Sequence, residues 1–206
     1  MHPFLLRAKQ IQDQALNMIW PVRSLVSGKP SGGVLSVEDF TRLTFITGAM
    51  CQKCGTPQEL DLGPDMLCAA CIARPPVWAS ARAALIYDDI SRIPILGLKW
   101  AGHRHGLKTM AGWMVGAGYD SLAQTDYIVP VPLHYRRLVR RGFNQAGWLA
   151  GAIAHLSGRP VKQAGLIRKR ATKSQSGLSA RQRKRNLVRA FEVRPSHKTI
   201  FEGKTI

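Results

Sequence analysis

Apolar positions along this chain follow two rhythms, and the change from one to the other outlines its elements. Phe4, Ala8, Ile11, Ala15 and Met18 fall at helical spacing, which predicts an amphipathic helix over 1–24 that Pro21 ends. The stretch SGKPSGGVLS at 27–36 reads as a flexible linker. Residues 37–50 suit a short helix or strand. SARAALIYD at 80–88 reads as a strand, and a helix is expected from Ile90 to Trp100, with Pro94 early in it or at a break. A loop over 102–106 leads to a small-residue helix at 107–123 that contains Met110, Trp113, Met114 and Leu122. Ile128, Val129 and Val131 are β-branched and favour a strand at 127–131. Pro130 and Pro132 remove two donors, so that strand cannot pair along its whole length. Asn144 is placed to cap a helix over 144–156. Further strands are expected at 160–167 and 190–193, and Thr205 and Ile206 read as the start of another. Residues 168–186 are too polar and basic to pack and read as a long loop. No internal repeat is evident in the sequence.

Length and composition narrow the picture. With 206 residues and 45% hydrophobic content, the chain has room for one ordinary domain and a small satellite, with a folded core. No apolar run is long enough to span a bilayer. Charged and polar residues interrupt the first twenty, so they lack a signal-peptide core. A cytoplasmic protein with no membrane insertion is the expectation. The net charge of +18 is unevenly placed. Residues 134–206 hold 18 lysines and arginines against only Glu192 and Glu202, while residues 1–133 are nearly balanced. Such a block points to phosphate, nucleotide or nucleic acid. The plainer alternative, a solvated basic face, has few acids available to answer it.

Two features carry chemistry. Cys51, Cys54, Cys68 and Cys71 form two CxxC pairs separated by 13 residues that include Gly55, Pro57, Gly63 and Pro64. Paired CxxC motifs at this spacing point to structural zinc, since four thiolates leave no open position for a substrate. A disulfide pair or free core cysteines are the alternatives, and a cytoplasmic setting disfavours the first. His103 and His105 are ligands only in principle. The second feature is the run from Val129 to Gln145, which joins a proline-stiffened strand end to a turn crowded by Arg136, Arg137, Arg140 and Arg141, then Gly142 and a helix start. Arginine forks bind phosphate bidentately, and helix N-termini favour anions. The alternative is that these arginines simply project into solvent.

VPVPLH at 129–134 followed by RGFNQA at 141–146 resembles the signature of the ComF family, bacterial phosphoribosyltransferase-like proteins associated with competence for DNA uptake. CQKCG at 51–55, CAAC at 68–71, Leu98-Lys99-Trp100, SQSGLSARQRKRN at 174–186 and the closing GKTI extend the resemblance from Cys51 to the C-terminus. The resemblance implies an α/β fold: an incomplete type I phosphoribosyltransferase-like parallel sheet with an N-terminal zinc-knuckle region. The expected organisation is an N-terminal helix and linker at 1–50, a four-cysteine knuckle at 51–76 and a phosphoribosyltransferase-like domain at 77–206. It further implies that phosphoribosyl pyrophosphate binds with Mg²⁺, its pyrophosphate meeting Pro132, Leu133, His134, Tyr135, Arg136 and Arg137, with Arg141 and Asn144 at the helix start. Related transferases have a mobile loop at the position of 168–186, which makes Arg181, Lys184 and Arg185 candidate contacts. Ser179 is placed to cap a short helix carrying them.

The chain also departs from the family pattern. Many relatives carry an additional CxxC segment after a Pro-x-Arg motif, and here Trp20-Pro-Val-Arg-Ser24 has serine where the cysteine would fall. The family's paired aspartates and Thr/Gly-rich ribose-phosphate loop are expected after Gly-Lys-Thr-Ile. Asp88-Asp89 pairs two acids, but SRIPILG after it cannot wrap a phosphate in that way. The expectation is therefore a C-terminally truncated chain that lacks full catalytic capacity, with no catalytic residue identifiable. Three readings follow: a phosphoribosyl-pyrophosphate-binding protein linked to DNA uptake, a non-catalytic zinc-containing module that binds single-stranded DNA beside a competence helicase, or an unstable fragment with exposed strand edges.

Overall fold

The computed structural model describes residues 22–101 and 104–206. The expected N-terminal amphipathic helix and His103 lie outside the described residues. Two small modules come first. Helix α1 (Val37–Thr41) follows Ser36, whose side chain accepts a hydrogen bond from the Asp39 backbone N–H at 3.1 Å. Helix α2 (Ala69–Ala73) follows Cys68 in the same position. The linker expected at 27–36 is structured instead. Leu25 N–H reaches Val34 O at 2.9 Å, and the hydroxyls of Ser24 and Ser27 both donate to Asp39.

The chain then runs along both modules. Phe45 and Leu85 form an isolated antiparallel bridge, and the expected strand at 80–88 is reduced to that contact. Helix α3 (Arg92–Leu96), which tolerates Pro94 in its first turn, continues into a wider π turn at Gly97–Ala101. The helix expected at 107–123 is divided at Gly118 into α4 (Leu107–Ala117) and α5 (Tyr119–Ala123).

The main layer is built around α7 (Gln145–Ser157), which packs on α4. Met110 and Ala111 of α4 and Ala150 and Ile153 of α7 are buried. Burying a side chain such as Met110 or Ile153 contributes about 1.5–3 kcal/mol relative to exposure. The segments before and after α7 run parallel: Ile128 N–H donates to Pro160 O, and Lys162 N–H donates to Ile128 O, both at 2.9 Å. The backbone N–H of Tyr127 donates to Thr205 O at 3.3 Å. Because successive residues of an extended segment face opposite edges, Val161 and Thr205 flank the 127–128 segment on its two sides.

Among the described residues this parallel arrangement is a single bridge. The one regular ladder among the described residues is antiparallel, joining β1 (Leu166–Arg168) to β2 (Phe191–Val193), with Ile167 opposite Glu192. The fold is mixed helix with a small sheet. Pro130 and Pro132 supply a reason for the short pairing, since neither can donate to a neighbour.

Two local expectations change. The arginine run is a helix rather than a turn: α6 (Tyr135–Arg141) starts where His134 Nδ1 accepts from Arg136 N–H and ends at Gly142, φ 80°. The stretch at 168–186 is loop only in its first half, and the short helix expected after Ser179 is present. This is α8 (Ala180–Leu187), opened by a capping box in which Ser179 and Gln182 bond each other's backbone N–H groups. After β2 the chain makes a 3-10 turn at Pro195–His197 and α9 (Lys198–Phe201).

Candidate functional site

The cysteine centre is assembled from a turn and a helix start. Gly55, at φ 71°, allows the Cys51–Cys54 turn to close with Gly55 N–H on Cys51 O at 2.8 Å. A side chain there would also meet Ala81 O at 2.6 Å. The four sulfurs lie within 4.8 Å of one another, and Cys54 and Cys68 Sγ are 3.7 Å apart. Tetrahedral zinc with Zn–S bonds near ~2.3 Å separates its sulfurs by about 3.8 Å, so the donor set fits zinc. None of the four cysteines is in a disulfide.

The thiols are unevenly poised. The backbone N–H of Cys68, together with those of Cys54 and Lys53, brings the Cys51 thiol down to about 6 despite its burial. Burial and the neighbouring sulfurs push Cys71 up to about 12. Four thiolates in one space need a cation to coexist, and a metal held by Cys51, Cys54, Cys68 and Cys71 would be structural.

The arginine cleft forms beyond the carboxyl end of the 127–131 segment. It has a volume of about 770 Å³. Val131, Pro132 and Leu133 line it, together with Arg137 and Arg141 of α6 and with Lys99 and Trp100. Arg168 of β1, the segment Lys173 to Gly177 and Arg183 of α8 complete the lining. Asn144 caps α7 by accepting from Ala146 N–H at 3.2 Å. Its amide donates to Val131 O at 3.1 Å, tying the helix start to the cleft lining.

No ion pair neutralises Arg137, Arg141 or Arg168 among the described residues. Arg141 donates to Gln145 Oε1 at 2.7 Å, and its guanidinium lies 5.3 Å from the Trp100 ring. Arg137 donates to Thr172 O at 3.2 Å, and Arg168 bonds the Thr172 hydroxyl and lies over Phe191. The Arg168 Nε is buried with no acceptor. Burial, then the charges of Arg137 and Arg140, lower the Arg141 pKa, and burial with Arg137 lowers that of Arg168. The cluster is a partly desolvated set of donors without counter-charge, which an anion would satisfy.

Of the residues singled out in the sequence, Pro132, Leu133, Arg137 and Arg141 border this cleft. His134 and Arg136 line a smaller adjoining hollow of about 290 Å³ with Arg140 and Arg168. Tyr135 is exposed and accepts from Arg136 Nε at 3.1 Å, with its ring beside His134. On α8, Arg183 faces the cleft, and Arg181, Lys184 and Arg185 do not border it. Tyr87 carries no signal in the sequence. Trp100 belongs to the matching Leu98-Lys99-Trp100 motif and to the aromatics that could stack bases, and Arg168 opens the basic stretch at 168–186 but reaches α6 only through β1. Asp88 serves its own turn: Oδ1 accepts from Ile90 and Ser91 N–H at 2.9 and 2.7 Å. Asp89 pairs with Arg92 at 3.1 Å.

Fold and site together define a protein with a four-cysteine centre and a cleft lined by arginines that have no carboxylate partner among the described residues. The chain is 33% identical over 150 residues to the DNA utilization protein YhgH of Salmonella typhimurium, covering 70% of this chain and 65% of that protein. It is 31% identical over 166 residues to the protein of that name from Escherichia coli K12, covering 78% and 71%. Competence protein F of Haemophilus influenzae is 30% identical over 131 residues, or 61% of this chain and 57% of that protein. The chain belongs to the ComF family. The match to the Salmonella protein takes in about two thirds of that relative's length. No protein-family model and no solved structure matches the chain. No helix among the described residues is long and apolar enough to cross a membrane.

Proposed function

We propose that the arginine cleft binds the pyrophosphate end of a phosphorylated ligand, phosphoribosyl pyrophosphate being the best fit, and that the protein serves DNA uptake. The observation that carries this reading is the convergence of Arg137, Arg141 and Arg168 without a carboxylate partner, one of them with a buried and unaccepted Nε–H. The parallel pairing of 128 with 161 and the flanking position of Thr205 support a type I phosphoribosyltransferase-like sheet. In such open sheets ligands bind beyond the carboxyl ends of the strands, where this cleft lies. Mg²⁺ would arrive with the ligand and offset its charge. Arg137 and Arg141 orient the pyrophosphate oxygens, Arg168 donates beside them, and α8 completes the lining through Arg183. The names of the relatives support the link to DNA utilization and competence.

Calorimetric titration with phosphoribosyl pyrophosphate and Mg²⁺, set beside inorganic pyrophosphate and ribose 5-phosphate, tests the reading. Binding of the first two and weaker binding of the third supports it. Absence of heat with both pyrophosphate ligands refutes it.

A second reading rests on a separate observation. Tyr87 and Trp100 are 67% and 65% exposed and line the same cationic cleft. Exposed aromatics beside phosphate-binding cations suit single-stranded DNA. Its affinity would fall steeply with salt, and a flat log-affinity against log-salt plot excludes it.

A further inference from the structure

We infer that residues 22–42 form a second knuckle on the plan of the cysteine one, in which Ser24, Ser27, Ser36 and Asp39 occupy the four metal-ligand positions and hydrogen bonds replace the metal. The correspondence is one of backbone geometry. Ser24 N–H donates to Lys29 O as Cys51 N–H does to Thr56 O, each at 2.9 Å and each spanning five residues. Leu25 N–H donates to Val34 O, and Gln52 N–H donates to Met66 O, both at 2.9 Å. Each of those acceptors stands two residues before the helix cap.

Gly28 N–H closes on Ser24 O at 3.0 Å, and Gly55 N–H closes on Cys51 O at 2.8 Å. Both glycines are left-handed, with φ 69° and 71°. Bridges join Arg23 to Pro30 and Met50 to Pro57 in the same register. The second halves agree as closely. Ser36 (φ −74°, ψ 158°) and Cys68 (φ −74°, ψ 156°) each precede a five-residue helix. Asp39 and Cys71 stand three residues on, and arginine closes both helices, Arg42 and Arg74.

The chemistry at the centre differs. Asp39 is 1% exposed. Its Oδ2 accepts from the hydroxyls of Ser24 and Ser27 at 2.5 Å each and from Ser27 N–H at 3.2 Å. Its Oδ1 faces Arg42 at 3.4 Å. One carboxylate and three hydroxyls are a poor donor set for zinc, which selects thiolate and imidazole. They are a closed hydrogen-bonded set on their own, the carboxylate occupying the centre that the ion would hold. This half of the chain therefore keeps its turn without zinc.

The test is metal content. The fourfold variant Ser24→Cys, Ser27→Cys, Ser36→Cys and Asp39→Cys, refolded with zinc, should carry about one more equivalent than the parent chain, as a four-thiolate site holds one ion. A folded variant with unchanged zinc overturns the inference. Hydrogen exchange on the unmutated chain gives an independent measurement. With a strong chelator present, the amides of Ser24, Leu25 and Gly28 should remain protected. Loss of protection at those three amides on chelation overturns it as well.

Discussion

Replacing Arg141 by alanine separates a ligand-binding arginine from a structural one, because the two roles predict opposite patterns. In the unliganded protein Arg141 stands four residues after Arg137 on α6. Like charges at that spacing cost about 0.2–0.5 kcal/mol, a cost the substitution removes. The substitution also removes the Gln145 hydrogen bond and the contact with Trp100, worth about 0.5–1 kcal/mol each at partly exposed sites. The losses outweigh the relief, so unfolding stability should fall by about 0.5–1.8 kcal/mol. A charge-assisted bond from guanidinium to phosphate is worth about 1.5–3 kcal/mol, so pyrophosphate affinity should fall roughly 10- to 150-fold. Arg141→Lys keeps the charge but loses the fork, and should fall between the two. Calorimetric titration with Mg²⁺-pyrophosphate and thermal unfolding on the same samples measure both quantities. An affinity changed less than twofold, with a midpoint lowered by several degrees, would show that Arg141 holds the fold and refute the reasoning.

Further outcomes follow from the same geometry. Cys54→Ser should lower zinc content by metal analysis and lower the unfolding midpoint, since three thiolates hold the ion less well than four. Asp39→Ala should cost about 1–3 kcal/mol in chemical denaturation, as it leaves the buried Ser24 hydroxyl without its acceptor while the half-exposed Arg42 turns to water. Burial opposes ionisation of Asp39, but the Ser24, Ser27 and Ser36 side chains outweigh it and hold the carboxyl down to about 2. Its contribution to stability is thus fully present above pH ~4 and lost as pH falls through about 2, with Arg42 the charged group facing it. Asp39→Asn should flatten that part of the stability profile. Trp100→Ala should weaken single-stranded DNA binding by about 1–3 kcal/mol if a base stacks there, while Mg²⁺-pyrophosphate affinity changes little.

What could be read from the sequence was local. The cysteine spacing is a covalent pattern and survives as geometry, and Asn144 and Ser179 cap the helices they were expected to cap because a cap acts within three residues. The charge density of the arginine run suggests a turn, but its boundaries do not. His134 and Gly142 bracket seven residues that have no reason to leave a helix. Tertiary relations were hidden. Arg168 reaches the cleft only through the pairing of β1 with β2, which lies 23 residues away in sequence between Arg168 and Phe191. The second knuckle shows in the sequence only at Ser24, where the family pattern has a cysteine. Serine and aspartate in a Gly-rich stretch read as a linker, and only the hydrogen bonds to Asp39 distinguish it from one.

The two knuckles bear on the cleft through one strip of chain. Lys53 O accepts from the Trp78 indole at 3.1 Å and from Ala81 N–H at 2.9 Å, and Arg82 bonds Gln52 O at 2.9 Å. These contacts fix residues 78–82 to the cysteine module. Just beyond, Ile46 N–H donates to Ala84 O at 3.0 Å and Ile86 N–H to Thr44 O at 2.9 Å, fixing 84–86 to the segment that follows α1. The next residue is Tyr87, and the chain proceeds to Lys99 and Trp100 on the cleft wall. One anchor depends on the metal and the other does not. Chelation should therefore free 78–82 while 84–86 stays docked, leaving pyrophosphate affinity within about threefold, or ~0.65 kcal/mol. Chelation of the Asp39→Ala variant should release both anchors and weaken binding by more than tenfold. If chelation alone abolishes binding while the Ser24, Leu25 and Gly28 amides stay protected, the cysteine module shapes the cleft by itself, and the shared anchoring is wrong.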